Sequence, residues 1–81
     1  MIREKVAGIF RDKLNVDVPS DDLDLIANGI MDSTMLVELI VHLESEFDVT
    51  PSLDELEVEN FATVARIAAF VESRIAARER G

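Results

Sequence analysis

Apolar residues with helical spacing recur in three segments of the 81-residue chain, and this periodicity constrains the fold more than any other feature. Spacings of three and four residues place the apolar side chains of each segment on one helical face. The pattern predicts helices over residues 2 to 14, over residues 33 to 47 and after Thr63, which is a suitable N-cap. The predicted core-facing residues are Ile2, Val6, Ile9, Phe10 and Leu14, then Leu36, Leu39, Ile40, Leu43 and Phe47, and then Val64, Ile67, Ala68, Val71 and Ile75.

Two connections join these helices. The first, from Asn15 to Asp32, is long for a loop without regular structure, so a short helical turn is expected near residues 22 to 27. In the second, Ser52 and Glu55 have the spacing of a capping box, which predicts a short helix within residues 53 to 60. The apolar residues of the first connection that are expected to reach the core are Val16, Val18, Leu23, Leu25, Ile26, Ile30 and Met31.

The predicted fold class is therefore all-α. We expect a four-helix bundle with a long loop between helices 1 and 2 and a short helix 3. A chain of this length encloses one core, so a single domain over residues 1–81 is expected. There is no tryptophan or tyrosine and there are four phenylalanines, so aliphatic side chains must fill most of that core.

Composition also excludes several kinds of function. The absence of cysteine rules out disulfides, thiolate zinc sites and a cysteine nucleophile within this sequence. The longest uninterrupted apolar run, residues 67 to 71, is too short to span a bilayer, and the N-terminus lacks the apolar segment of a signal peptide. No membrane span and a cytoplasmic location are expected.

The net charge of −9 is concentrated in the middle of the chain. Residues 17 to 59 contain 13 Asp and Glu residues and no Lys or Arg. Such a surface repels phosphate backbones and attracts basic patches on other proteins, so nucleic acid is not an expected partner. The charge alone is equally compatible with a role in solubility.

Ser33 stands at the predicted start of helix 2, directly behind Asp32. Either residue could cap the helix: serine is a common N-cap, whereas an aspartate also suits the positive end of the helix dipole. If Asp32 caps, the hydroxyl of Ser33 is free. The sequence lacks the G-x-S-x-G motif of hydrolases, and His42, the only histidine, lies about 180° away around the helix. No catalytic residue is predicted, and the acidic loop fails the EF-hand ligand pattern, so no metal site is predicted either.

Helix 2 also has a mixed face that points away from the predicted core. At about 100° per residue, valines that the core does not need fall between carboxylates on this side. Faces of this kind often bind partner proteins. The residues predicted on it are Thr34, Val37, Glu38, Val41, Glu44 and Ser45.

The stretch GIMDSTMLVELIVHLESEFDV, residues 29 to 49, resembles the acyl carrier protein family. In that family the serine of a D-S motif at the start of the second helix carries a 4′-phosphopantetheine arm from coenzyme A. The similarity extends over nearly the whole chain, including G-x-x-D-S in an acidic loop and T-V-x-x-I in the last helix. It implies Ser33 as the attachment site, next to Asp32. The positions that it implies for partner contacts are Thr34, Val37, Glu38, Val41 and Glu44.

The resemblance implies a carrier and not an enzyme. Its partners would be a phosphopantetheinyl transferase and acyl- or aminoacyl-loading and acyl-transfer enzymes with basic docking patches. As a monomeric phosphoprotein, the carrier would hold cargo as a thioester in fatty acid or specialised-metabolite biosynthesis. Thr34 departs from the leucine that many members have after the serine, and GIMDS and ENFATV look like D-alanyl and aminoacyl carrier proteins. Fatty acyl, polyketide and aminoacyl cargo remain open. The alternative is an unmodified acidic helical module that binds a basic partner.

Overall fold

Three α-helices account for more than half of the computed structural model, which describes residues 2–52, 54 and 56–80. They are α1 (Ile2–Asp12), α2 (Ser33–Phe47) and α3 (Val64–Arg80), and a 3₁₀ helix (Val58–Phe61) precedes α3. No strand occurs in that part of the chain. The predicted all-α class is confirmed.

The first helix ends two residues earlier than its apolar pattern predicts. Lys13 and Leu14 still donate their amides to the carbonyl of Ile9, at 2.9 and 3.0 Å, but the helix proper stops at Asp12. Asn15 then takes a left-handed conformation with φ of 57°. Asparagine tolerates this conformation better than most residues and commonly ends a helix.

The other two α-helices begin where their capping residues predict. α2 has the predicted bounds, and the amide of Arg66 donates to the hydroxyl of Thr63 at 3.0 Å, which confirms the N-cap of α3. The short helix 3 is not confirmed as an α-helix, because the regular structure described in this segment is the 3₁₀ helix. The predicted capping box depends on Glu55, which lies outside the described residues.

The long connection contains the expected helical turn, slightly further along the chain. A side-chain oxygen of Asp24 accepts from the amides of Ile26 and Ala27 at 3.0 and 2.9 Å. The amide of Asn28 donates to the Asp24 carbonyl at 3.1 Å, and Gly29 closes the turn with φ of 71°, a value that favours glycine. We call this segment the Asp24–Gly29 turn.

Leu25 fixes this turn to the rest of the fold. Its side chain is fully buried, and its amide donates to the carbonyl of Ala62 at 2.8 Å. Its own carbonyl accepts from the amides of Ile30 and Met31, both at 2.8 Å. These bonds hold the residues that lead into α2 close to the start of α3.

One core, mostly of aliphatic side chains with three phenylalanines, lies between the helices. α1 packs against α3, which also contacts the 3₁₀ helix and α2. Leu25 and Met31 reach this core as predicted, whereas Ile26 is 40% exposed and the prediction for it is wrong. The turn that buries Leu25 directs the next side chain outward. The buried apolar residues are Val6, Ile9, Phe10, Leu25, Met31, Leu39, Leu43, Phe47, Val49, Phe61, Val64, Ile67, Ala68 and Val71.

Candidate functional site: the exposed start and outer face of α2

Asp32 caps the N-terminal end of α2. Its backbone is extended, and its side-chain oxygen accepts from the amide of Met35 at 2.8 Å. Its carbonyl accepts from the amide of Leu36 at 2.9 Å, the first regular bond of the helix. Of the two possible caps, the structure therefore has Asp32 in that role, and Ser33 is the first residue inside the helix.

Ser33 is exposed at the tip of α2. No described residue forms a hydrogen bond with its hydroxyl, since the capping role is filled by Asp32. Ser33 lines an open depression of about 480 Å³ together with Thr34, Val37 and Glu38. The unpaired amides and the positive end of the helix dipole make such a position favourable for a phosphate group.

The mixed face predicted for α2 is exposed in the structure. Val37 is 62% exposed and Val41 57%, and their spacing of four residues puts them side by side on the helix surface. Thr34, Glu38 and Glu44 are also exposed. Among the described residues, neither glutamate forms an ion pair. We call these five residues the outer face of α2.

The opposite end of α2 is held by Arg78, a residue for which the sequence predicts no contact with this helix. Asp48 ends the helix in a left-handed conformation, and its amide donates to the carbonyl of Glu44 at 3.0 Å. Arg78 of α3 donates to the carbonyls of Phe47 and Asp48 at 3.4 and 2.8 Å. The sequence places Arg78 near the end of α3, where it suits that helix's own dipole, and gives no sign of a contact with α2.

None of the ion pairs between described residues includes a residue of the first turn of α2, and one of them joins Arg3 of α1 to Asp21 at 3.9 Å. Arg11 and Asp12 of α1 are joined at 3.1 Å, and the hydrogen bond from Arg11 lowers the pKa of Asp12 and raises the pKa of Arg11. Both side chains are exposed, so this pair is a surface contact of little consequence for stability. Arg78 also lies 3.6 Å from a side-chain oxygen of Asp48.

The described residues bring no catalytic group to Ser33. His42 is half-buried and belongs to a part of α2 more than two turns from the serine. No group of three His, Cys, Asp or Glu residues that could hold a metal ion occurs within residues 2–52, 54 and 56–80. What the site offers is an accessible hydroxyl beside an exposed helix face, a combination on which a second protein can act.

Fold and site together define a small helical protein whose exposed serine and outer face are accessible to a second protein. A comparison with protein families supports this class. The family model described as "Phosphopantetheine attachment site" matches residues 4–71. The chain therefore belongs to the family of phosphopantetheine-dependent carriers that includes acyl carrier proteins.

Curated relatives agree with this assignment. The D-alanyl carrier protein of Lactococcus lactis subsp. lactis is 40% identical over 75 residues, which cover 90% of this chain and 86% of the relative. The D-alanyl carrier protein of Leuconostoc mesenteroides is 31% identical, with 91% and 96% covered. An acyl carrier protein of Thermotoga maritima is 34% identical, with 91% of each chain covered. No solved structure is matched significantly.

Membership of the family fixes two properties of the protein. Its prosthetic group is 4′-phosphopantetheine, and it is a carrier of acyl groups and not an enzyme. The exposed hydroxyl, the depression beside it and the positive helix end fit the phosphate end of that group. None of the described helices is long and apolar enough to cross a membrane.

Proposed function

We propose that Ser33 is the residue that carries the 4′-phosphopantetheine arm, and that the protein delivers acyl or aminoacyl cargo to partner enzymes. When attached, the arm supplies the thiol that holds the cargo as a thioester, a group that the cysteine-free chain does not have. We propose that the chain acts as a single monomeric carrier domain over residues 1–81 in the cytoplasm. The family's four-helix arrangement would have its shortest helix within residues 53 to 60.

The observation that carries this proposal is the division of roles between Asp32 and Ser33. Because Asp32 accepts the amide of Met35 at 2.8 Å, the helix end does not need the serine hydroxyl. Ser33 is consequently exposed and can be modified without loss of the cap. The rival, an unmodified acidic interaction module, gives no reason for a hydroxyl at this position.

The attachment reaction needs a second protein. Ser33 Oγ would attack a phosphorus atom of coenzyme A, so that a serine oxygen–phosphorus bond forms while the pyrophosphate bond breaks and the nucleotide part leaves. A phosphopantetheinyl transferase would take the serine proton on its own base and supply the magnesium ion. Asp32 would act as a positioning residue, because its cap keeps Ser33 in the first turn of α2.

The outer face of α2 is proposed to dock the partner enzymes. Glu38 and Glu44 are exposed carboxylates without an ion pair among the described residues, so they can attract basic patches on these enzymes. Val37 and Val41 would supply apolar contact, and Thr34 lies in the first turn beside Ser33. All five residues lie on the side of α2 that the core does not use.

The cargo is proposed to be an aminoacyl or another acyl group. The two relatives from Lactococcus and Leuconostoc are named D-alanyl carrier proteins, which favours aminoacyl cargo. The Thermotoga relative is named an acyl carrier protein, so a fatty acyl or polyketide group is the other candidate. Assaying the arm-bearing protein with adenylating and acyl-loading enzymes separates these classes.

The proposal is tested by incubating the wild type and Ser33→Ala with coenzyme A, magnesium and a broad-specificity transferase, followed by intact-mass measurement. The wild type should gain the mass of one arm, and Ser33→Ala should gain none. Because Asp32 still caps the helix, Ser33→Ala should change the free energy of unfolding by no more than about 0.5 kcal/mol.

Thr34→Ala is the matched control, since it removes the neighbouring hydroxyl from the same helical turn. It should still accept the arm. A wild type that stays unmodified with several transferases, or a Ser33→Ala variant that is still modified, would contradict the proposal. In the first case the acidic interaction module would become the better interpretation.

A further inference from the structure

Ile26 is an exposed isoleucine in the segment that leads to Ser33. Four large apolar side chains are exposed in the described structure, at Ile26, Val37, Val41 and Val58. Three of them fall within the 16 residues from 26 to 41, which include Ser33. Single exposed apolar residues are common on protein surfaces, but a concentration of them around one position is typical of a contact surface.

The backbone under Ile26 is held in place by several hydrogen bonds. Asp24 accepts from the amide of Ile26 at 3.0 Å, and the carbonyl of Ile26 accepts from the amide of Gly29 at 3.1 Å. The side-chain amide of Asn28 also donates to the Asp24 carbonyl at 2.7 Å. A β-branched residue is not a typical turn residue, so its exposure on a well-bonded turn calls for a reason other than turn formation.

The same turn lies close to Ser33. Leu25, the neighbour of Ile26, accepts from the amide of Met31, which is two residues before Ser33. Three steps of about 3.8 Å between Cα atoms along the chain, and at most about 6.7 Å across the hydrogen bond from Met31 to Leu25, put the Cα atoms of Ile26 and Ser33 no more than about 18 Å apart. An ordinary interface covers about 800 Å² of each partner, so one interface can include both residues.

We propose that Ile26 is a docking contact for the transferase that attaches the arm to Ser33. The inference rests on the proposed attachment at Ser33. The transferase must bring its active site to Ser33 Oγ itself, whereas loading enzymes must reach only the thiol at the far end of the arm. An exposed apolar side chain within interface reach of Ser33 is therefore assigned first to the contact surface of the transferase.

The charges around the turn describe the complementary surface. Asp22 and Asp24 are exposed on either side of Leu23, and no Lys or Arg occurs between residues 14 and 65, although Arg3 of α1 lies 3.9 Å from the neighbouring Asp21. The transferase should therefore present an apolar pocket for Ile26 that is bordered by Lys or Arg side chains. This arrangement combines an apolar anchor with charges that speed association.

The test measures the initial rate of arm attachment against carrier concentration for the wild type, Ile26→Ser and Ile26→Val. Ile26→Ser should raise KM for the carrier about fivefold or more, whereas kcat should stay unchanged because Ser33 is untouched. Ile26→Val should remain close to the wild type. Val58→Ser is the matched control, because Val58 is 45% exposed and lies outside the segment around Ser33, and it should leave KM unchanged.

Several results would overturn the proposal. One is an unchanged KM for Ile26→Ser, and another is a rise in KM for Val58→Ser equal to that for Ile26→Ser. A third is an Ile26→Ser variant that accepts the arm normally but is loaded with cargo more slowly, because the partner of Ile26 would then be a loading enzyme. Should Ile26→Ser lose helicity, Ile26→Thr keeps the branched shape and is measured instead. Attachment to the wild type and none to Ser33→Ala would show that the proposed function stands whatever the outcome for Ile26.

Discussion

At its N-terminal end α2 is closed by its immediate neighbour, whereas at its C-terminal end it is held by a residue 30 positions further along the chain. Asp32 accepts the amide of Met35, and no other helix takes part in that bond. Arg78 reaches from α3 to the carbonyls of Phe47 and Asp48. Both ends satisfy backbone groups that a helix leaves unpaired, but one does so locally and the other through tertiary structure.

Because of this difference, the N-terminal end of α2 is accessible to solvent, whereas the C-terminal end is fixed to the rest of the bundle. Phe47 is buried at the C-terminal end, so the core and Arg78 together tie that end to the bundle. The N-terminal end presents Ser33, Thr34 and the open depression to solvent. A carrier whose arm is attached by one enzyme and used by others benefits from this arrangement, because the end proposed for arm attachment can be reached without disturbing the helix packing.

The largest effect on stability is expected from removing the Asp32 cap at the N-terminal end of α2. Asp32→Ala removes the acceptor for the amide of Met35 and should lower the free energy of unfolding by about 1 kcal/mol. Asp32→Asn keeps a side-chain oxygen at the cap and should lose only a few tenths of that amount. Urea denaturation followed by circular dichroism measures both variants. An equal loss for the two would mean that the charge of Asp32, and not its hydrogen bond, stabilises this end.

Residues close in sequence explain why one end of α2 could be predicted in part. A cap depends on side chains within three residues of the helix start, so the bounds of α2 and the Thr63 cap follow from local patterns. The choice between Asp32 and Ser33 was open, because both residue types serve as caps. The structure decides it through the bond to Met35.

The features that could not be predicted depend on contacts between distant residues. The Arg78 contact requires the relative placement of α2 and α3, which no local pattern contains. Ile26 was expected in the core because it is apolar, but the bonds of Leu25 to Ala62 and Met31 fix a turn that points it outward. The exposure of Val37 and Val41 did follow from helical periodicity, because the core-facing stripe of α2 was complete without them.

A smaller effect on stability is expected from removing the Arg78 contact at the C-terminal end of α2. Arg78→Gln should lower the free energy of unfolding by about 0.5 kcal/mol, since the side chain is half exposed and its pair with the exposed Asp48 adds little. Hydrogen exchange should become faster at the amides of Phe47 and Asp48 and stay unchanged at Met35.

Arg78→Lys is the matched control for this change. It retains the positive charge but loses the planar guanidinium that contacts two successive carbonyls. An intermediate stability is expected for it. Faster exchange at Met35 in Arg78→Gln would contradict the comparison, because the two ends of α2 would then be coupled and not independent.

The smallest effect on folding, and a selective one on recognition, is expected from single charges at the two ends of α2. Glu38→Gln and Glu46→Gln each remove one exposed carboxylate, so the net charge changes equally and only the position differs. Both should alter the free energy of unfolding by less than about 0.5 kcal/mol.

Glu38 lines the depression at Ser33, whereas Glu46 lies beside α1 near Lys5 and Lys13. If basic patches of partner enzymes dock at the open end, Glu38→Gln should slow association with a loading enzyme about threefold at low ionic strength, and added salt should reduce the difference. Glu46→Gln should associate like the wild type. Stopped-flow mixing measures the association rates. Equal slowing by both changes would mean that the enzymes respond to the total charge of the carrier, and it would contradict the proposal that the outer face of α2 is the docking surface.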